Sequence, residues 1–244
     1  MEKYEPVMSF LDDTAETYDD DCVRGDESET VAFLEQLASG GHALELAIGT
    51  GRIALPLAAR GIRVDGIDIS QNMVNKLREK TGGDQIEVTI GDFADCPVTG
   101  SYKLVYVVFN TFFNLLTQED HIRCFENVAS HLTDDGLFVV EGYVPAFLHQ
   151  LRNNQHVDAE SIQVDEVRLD VLRHDSATQM IEESHVSLSA SGVRLNPIVQ
   201  RYAWPSELDL MARIAGLRLK ERWGDWEREP FTFSSANCIS VFGR

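Results

Sequence analysis

The sequence predicts an α/β protein: a doubly wound, mostly parallel sheet of seven strands with an antiparallel β insertion after strand five. Three observations lead there. From Glu29 to Glu141, short apolar runs alternate with segments of helical period, as buried parallel strands joined by crossover helices do. After Pro145 the apolar period falls to two, the mark of a half-buried strand. The chain then returns to one helix and two strands, and a terminal hairpin leaves one strand antiparallel. With 244 residues, 43% of them hydrophobic, there is enough apolar surface for a core of that size.

The elements follow in order. Glu29 to Ser39 reads as a helix stopped by Gly40-Gly41. Ala43 to Ile48 is a short apolar run ending in glycines, hence a buried strand. A helix follows over Arg52 to Arg60, with Pro56 either in its first turn or kinking it. Arg63 to Ile69 is the second strand. Ser70 is an N-cap for a helix through Lys80, with Met73, Val74 and Leu77 on one face. Ile86 to Ile90 and Leu104 to Phe109 are strands three and four. Thr117 and Asp120 open a helix that Asp134-Asp135-Gly136 close, and Leu137 to Glu141 is strand five. Beyond Pro145, three alternating runs around Leu169, Leu188 and Ile198 predict a three-strand meander. Pro205-Ser206 start a helix over Glu207 to Ala215, and strands over Leu217 to Trp223 and Asn237 to Phe242 complete the chain. The organisation is therefore an N-terminal helical lid (1–40), a cofactor-binding core (41–144), an antiparallel insertion roofing the substrate (145–204), and a final helix and hairpin (205–244).

Asp plus Glu number 40 against 21 Lys plus Arg, a formal charge of −19. Such a surface repels phosphate backbones and argues against nucleic-acid partners. Its plain reading is solubility. Acids crowd the first 29 residues, where Arg24 is the only cation between Asp12 and Glu29. That run is a solvated face, or a lid over a cationic ligand. Four scattered cysteines with no CxxC pair read as reduced thiols of a cytoplasmic protein. No signal peptide and no span approaching ~20 apolar residues is visible, so no membrane partner is expected.

The stretch LELAIGTGRIALPLA carries the chemistry. A strand, a glycine turn and a helix start form a cradle for the polar end of a nucleotide-like ligand. Asp68, ending the second strand, suits ribose hydroxyls. GTGRIA matches a dinucleotide fingerprint, which NAD enzymes and S-adenosylmethionine enzymes share. Glu45 tips the balance: an acid inside the first strand suits a ligand bearing an ammonium and a sulfonium. Asp92 and Phe93 after the third strand can take an adenine amino group and stack on its ring.

ELAIGTGRIALPLA, GIDIS with Met73, GDFAD and NTFFNLL, in that order, resemble the class I S-adenosylmethionine-dependent methyltransferases, which have a Rossmann-like fold. The layout is similar to small-molecule members, including those acting on amino sugars of natural products. The resemblance implies S-adenosyl-L-methionine as cofactor. It places Ala47, Gly49 and Gly51 at the methionine portion, Asp68 at the ribose, Ile69 and Met73 against adenine, Asp92 and Phe93 at the base edge, and Phe109 beneath the cofactor. Tyr18 matches a Tyr-Asp pair over the cofactor, and Arg24 would meet its carboxylate. Ala47 stands where the family commonly has glycine, which is tolerated if the backbone there needs no positive φ.

Methyl transfer is an in-line displacement in which the protein positions the reactants and excludes water. A weak nucleophile also needs a base. Glu141 and Tyr143 at the end of strand five, and His174 in the insertion, are the catalytic candidates; no metal is expected. The Asn110-Thr111-Phe112-Phe113 run lacks the Asn-Pro-Pro-aromatic arrangement of nucleic-acid amino methyltransferases. The sequence thus predicts methyl transfer to N or O of a small molecule, with a homodimer as one allowed assembly. The alternatives are an NAD(P)-dependent oxidoreductase and a non-catalytic cofactor-binding module.

Overall fold

The computed structural model describes residues 12–21 and 25–244. Helices α1 (Asp12–Asp21) and α2 (Glu27–Ala38) precede the sheet. The core then alternates: β1 (Ala43–Leu46), α3 (Ala54–Ala59), β2 (Val64–Asp68), α4 (Gln71–Glu79), β3 (Glu87–Ile90), β4 (Tyr102–Val107), α5 (Gln118–His131) and β5 (Leu132–Tyr143). The insertion follows as β6 (Gln155–Ile162), β7 (Glu166–Asp175), β8 (Met180–Ser189) and β9 (Gly192–Arg201). The chain ends with α6 (Pro205–Ile214), β10 (Arg218–Trp223) and β11 (Asn237–Gly243).

The seven-stranded sheet has the order β10-β11-β5-β4-β1-β2-β3. β1 pairs in parallel with both β2 and β4, so the winding direction reverses between β1 and β4. That switch point opens a crevice at the carboxyl ends of the strands, where ligands bind in such sheets. β11 is the antiparallel member, pairing with β5 on one side and β10 on the other. The central strands read as apolar runs because both faces are covered. On one face lie Leu44, Leu46 and Val105 with Phe125 of α5 and Met211 of α6. On the other lie Ala43 and Leu104 with Phe33 of α2 and Leu57 of α3.

Helix starts follow local chemistry. The Ser70 hydroxyl accepts the Met73 amide at 3.3 Å, and the Thr117 hydroxyl accepts that of Asp120 at 3.0 Å. Pro56 sits in the first turn of α3, where its missing N–H has no intrahelical partner to lose. β5 starts at Leu132, directly from α5, five residues before the expected Leu137.

The insertion differs from expectation by one strand. It is a four-stranded antiparallel sheet in the order β6-β7-β8-β9, not a three-strand meander. β6 escapes the hydrophobic pattern because QHVDAESI offers few apolar residues, and Val157 and Ile162 are exposed.

The insertion returns to the core through a buried joint. Arg201, ending β9, donates to His121 Nδ1 of α5 at 3.2 Å and to Gln179 Oε1 at 2.9 Å. Gln179 in turn donates to Glu207 Oε2 of α6 at 2.6 Å. His121 is fully buried and stacks on Phe112, ring centroids 4.6 Å apart. Among the described residues, no helix is long and apolar enough to cross a membrane.

Burial, reinforced by the Arg201 charge, pushes the His121 imidazole down to about 3. The unfolded chain protonates this histidine near pH 6.5 and the folded chain does not. Its contribution is therefore complete above pH 6.5 and is lost as pH falls toward 3, by up to about 1.4 kcal/mol per pH unit. Urea denaturation across that window should show a steeper acid loss for the wild type than for His121→Phe. Parallel curves contradict it.

Candidate active site

The turn after β1 holds three left-handed residues within five positions: Ala47 (φ 56°), Gly49 (φ 55°) and Gly51 (φ 79°). The backbone at Ala47 does need a positive φ, so the alanine carries strain that glycine there would avoid. Gly49 and Gly51 also sit close to α4. An added Cβ would come within 3.3 Å of Met73 Cε and 2.9 Å of Leu77 Cδ1 respectively. Asp68 holds the turn: its Oδ2 accepts the Gly49 amide at 2.7 Å and its Oδ1 that of Ser70 at 2.8 Å. Burial raises the Asp68 carboxyl, and the amides of Ser70, Gly49 and Ile69 oppose that rise.

Glu45 lies beneath this turn. It is buried and accepts the Tyr106 hydroxyl at 3.0 Å. Burial pushes its carboxyl up to about 8, against the hydrogen bond from Tyr106 and the charge of Arg52. Arg52 was not foreseen in the sequence. Its guanidinium pairs with Glu27 at 2.8 Å and lies 4.6 Å from the Phe109 ring centroid, a cation–π distance. The available signal was a lone cation directly after the last glycine of the turn. Arg24, expected at the cofactor carboxylate, lies outside the described residues.

Helix α1 docks on the same turn. Asp19 accepts the Thr50 hydroxyl at 2.6 Å and pairs with Lys80 at 2.5 Å. Burial would raise the Asp19 carboxyl, but these partners outweigh it and hold it low. Tyr18, half-buried, precedes it. On the far side of Asp68, its carbonyl accepts the Gly91 amide at 2.9 Å, bringing Asp92 and Phe93 alongside β2. Asp92 is exposed and binds the Ala94 amide at 2.8 Å, while Phe93 packs half-buried against the core. Ile69 is 43% exposed at the end of β2, and Met73 of α4 is buried with its Cε beside Gly49.

At the end of β4, Phe109 (φ 62°) and Asn110 (φ 59°) are consecutive left-handed residues, a strained arrangement that persists only when surrounding contacts fix it. Two contacts do so. The Phe109 amide donates to Glu141 Oε2, and Asn110 Oδ1 accepts the Tyr143 amide at 2.8 Å. The structure thus brings Glu141 and Tyr143 together with Phe109.

The insertion overhangs this end of the sheet. The Tyr143 hydroxyl donates to Gln200 Oε1 of β9 at 3.3 Å, and Gln200 donates to Asn114 Oδ1 at 3.2 Å. Burial, with the charge of Glu183 next in size, raises the Tyr143 hydroxyl well above its usual range. Glu183 itself is pushed up to about 7 by burial and by neighbouring Asp170. Asp170, Glu183 and His185 bring ligand atoms within 4.8 Å of one another, a spacing that could serve a cation or an ammonium group. His174 belongs to a different group: it is buried, its Nε2 lies 2.9 Å from the Tyr202 hydroxyl, and its ring meets that of His149 at 5.5 Å.

The fold and these contacts define a nucleotide-cofactor enzyme site: a glycine turn at a switch point, a buried acid on the second strand, and an exposed apolar residue beside it. A methyltransferase domain model matches residues 43–136. The CcbJ methyltransferase from Streptomyces caelestis is 36% identical, with 98% of this chain and 99% of that one covered at a TM-score of 0.92. The cypemycin N-terminal methyltransferase of a Streptomyces species is 28% identical over 207 residues, 84% of each chain. An amino pentose methyltransferase from Micromonospora echinaspora, solved with S-adenosylmethionine bound, shares the fold at 15% identity, full coverage of both chains and a TM-score of 0.71. The chain belongs to the S-adenosylmethionine-dependent methyltransferases. This assignment replaces the oxidoreductase and non-catalytic readings. The site suits the cofactor: the cradle has glycines where a Cβ would crowd α4, and a buried carboxyl lies beneath it.

Ala47→Gly should relieve the left-handed strain and raise unfolding stability by up to about 1 kcal/mol, since glycine's extra unfolded-state entropy offsets part of the gain. Thermal denaturation checks this. A lowered melting temperature contradicts it.

Proposed function

We propose that the enzyme methylates an amine nitrogen of a small polar molecule. When bound, S-adenosylmethionine supplies an electrophilic methyl group on a sulfonium. In this reading Gly49, Gly51 and Ala47 pass under its methionine portion and Glu45 answers its ammonium. Asp68 takes the ribose, Ile69 and Met73 pack on the adenine, and Asp92 and Phe93 hold the base edge. Arg52, with its planar fork, serves the carboxylate. Phe109 lines the floor, and α1, with Tyr18, closes over the cleft.

The observation that carries the acceptor assignment is the polar roof. Glu183 on the insertion faces Tyr143 and Asp170 stands beside Glu183, and two carboxylates suit a cationic amine better than a neutral alcohol. An amine must lose its proton before it attacks. Glu183, poised near neutrality, accepts that proton. Glu141 acts through the Phe109–Asn110 turn that it holds, and His174 acts through Tyr202. The N-terminal methyltransferase and the amino pentose methyltransferase among the similar proteins are in keeping with nitrogen as acceptor. The buried thiols Cys96, Cys124 and Cys238 suit a reducing cytoplasm.

S-adenosylhomocysteine release should be measured over a panel of small amines and matched alcohols. We expect turnover on amines, and a KM for the amine raised at least tenfold in Glu183→Gln with S-adenosylhomocysteine affinity unchanged. Turnover confined to alcohols, or an unaltered KM, sinks the assignment.

A further inference from the structure

The inner face of the insertion sheet sorts its charges by row. Gln200 of β9 marks this face as the inner one, because it bonds to Asn114 and to Tyr143 at the end of β5. Side chains alternate between faces along a strand, so the cross-strand register gives the rows that share it. His174, Ile181 and Gln200 form the row at the base. Leu172, Glu183 and Ile198 come next, then Asp170, His185 and Asn196. Arg168, Ser187 and Arg194 form the fourth row. The carboxylates of Glu183 and Asp170 thus stand nearer the transfer site, and two guanidiniums follow them. From Glu183 to Ser187 the separation along β8 is ~13 Å, at ~3.3 Å per residue.

The fourth row borders a cavity of about 360 Å³, lined by both arginines with Ser187, Asn196, Glu160 and His185. Arg168 and Arg194 flank Ser187 from the two neighbouring strands, which puts their backbones ~10 Å apart. Two guanidiniums at that spacing repel, and an anion between them turns the repulsion into attraction. The Ser187 hydroxyl and the Asn196 amide add neutral donors on the same floor. The nearby acids are engaged. Glu160 pairs with His185 Nδ1, and Glu166 accepts the Arg168 Nε–H at 3.0 Å.

We propose that this row is a second acceptor subsite, which takes an anionic group, carboxylate or phosphate, at the far end of the molecule whose amine is methylated. The proposal rests on the amine reading above. The amine meets Glu183 and Asp170, and the anion meets Arg168 and Arg194. The acceptor is then an elongated zwitterion, not a compact amino acid, because four residues of strand separate its two charges. A guanidinium fork takes a carboxylate or phosphate through two parallel N–H bonds, which fixes direction as well as place. Reversed docking sets like charges together at both ends, so the wrong orientation is rejected by repulsion. In a molecule with several nitrogens, the anion subsite therefore chooses the one that is methylated.

Calorimetric titration of the full chain loaded with S-adenosylhomocysteine tests this. The probes are ω-amino carboxylates and ω-amino phosphates of increasing chain length, each against its uncharged counterpart, the terminal amide or alcohol. We expect the long anionic probes to bind about tenfold tighter than their counterparts, the scale of one charge-assisted hydrogen bond. The two anionic series show which oxyanion the row takes. Arg168→Gln and Arg194→Gln should each remove the preference, with S-adenosylhomocysteine bound as in the wild type. Arg173→Gln, on the outer face and paired with Glu182, should keep it. An arginine-dependent preference among probes that are never methylated upholds the subsite and sinks only the amine reading. Equal binding of charged and neutral probes at every length, no binding of either, or a preference that survives both arginine substitutions overturns the proposal.

Discussion

The carboxylate of Asp68 is the interaction on which the site depends. One oxygen accepts the Gly49 amide from the turn after β1, and the other accepts the Ser70 amide at the start of α4. The residue's own carbonyl accepts the Gly91 amide after β3. Three separate segments thus meet at one buried position. A buried carboxylate is stable only when hydrogen-bonded, so the same bonds that keep the acid in place fix the shape of the turn. That turn must run through three left-handed residues. Without the anchor, the strain at Ala47 would have no compensation.

The same logic recurs across the switch point. Phe109 and Asn110 are held left-handed by Glu141 and by the Tyr143 amide. Two strained turns, each pinned by an acid or amide from a neighbouring strand, therefore face one another at the carboxyl ends of β1 and β4. Arg52 spans the gap between them, resting on Phe109 while lowering the charge cost of Glu45. Strain at a functional site persists because the surroundings over-determine it, and here the determining contacts come from the sheet itself.

Much of this was legible in the sequence. Strands buried on both faces show as apolar runs, and Ser70 and Thr117 announce their helices because capping is a local interaction. The order of the motifs around Gly49, Asp68 and Asp92 was enough to choose a methyl donor over a dinucleotide. What stayed hidden depends on tertiary placement. An alanine gives no sign that its φ is positive. Arg52 looks like any helix-start cation until Phe109 is set beneath it. Glu141 could be placed at a strand end, but its bond to the Phe109 amide requires the β4–β5 register. β6 was missed because its apolar side chains serve an outward face, so the usual match between hydrophobicity and core does not hold there.

The central claim is that Asp68 organises a methyl-donor site. Calorimetric titration of S-adenosylhomocysteine into wild type and Asp68→Asn tests it most directly. Asparagine keeps the shape but presents an NH₂ group to one of two amide donors. The account predicts affinity weaker by about 1–3 kcal/mol, the range for orphaning a buried hydrogen-bonding partner. An unchanged affinity in a folded variant would contradict it.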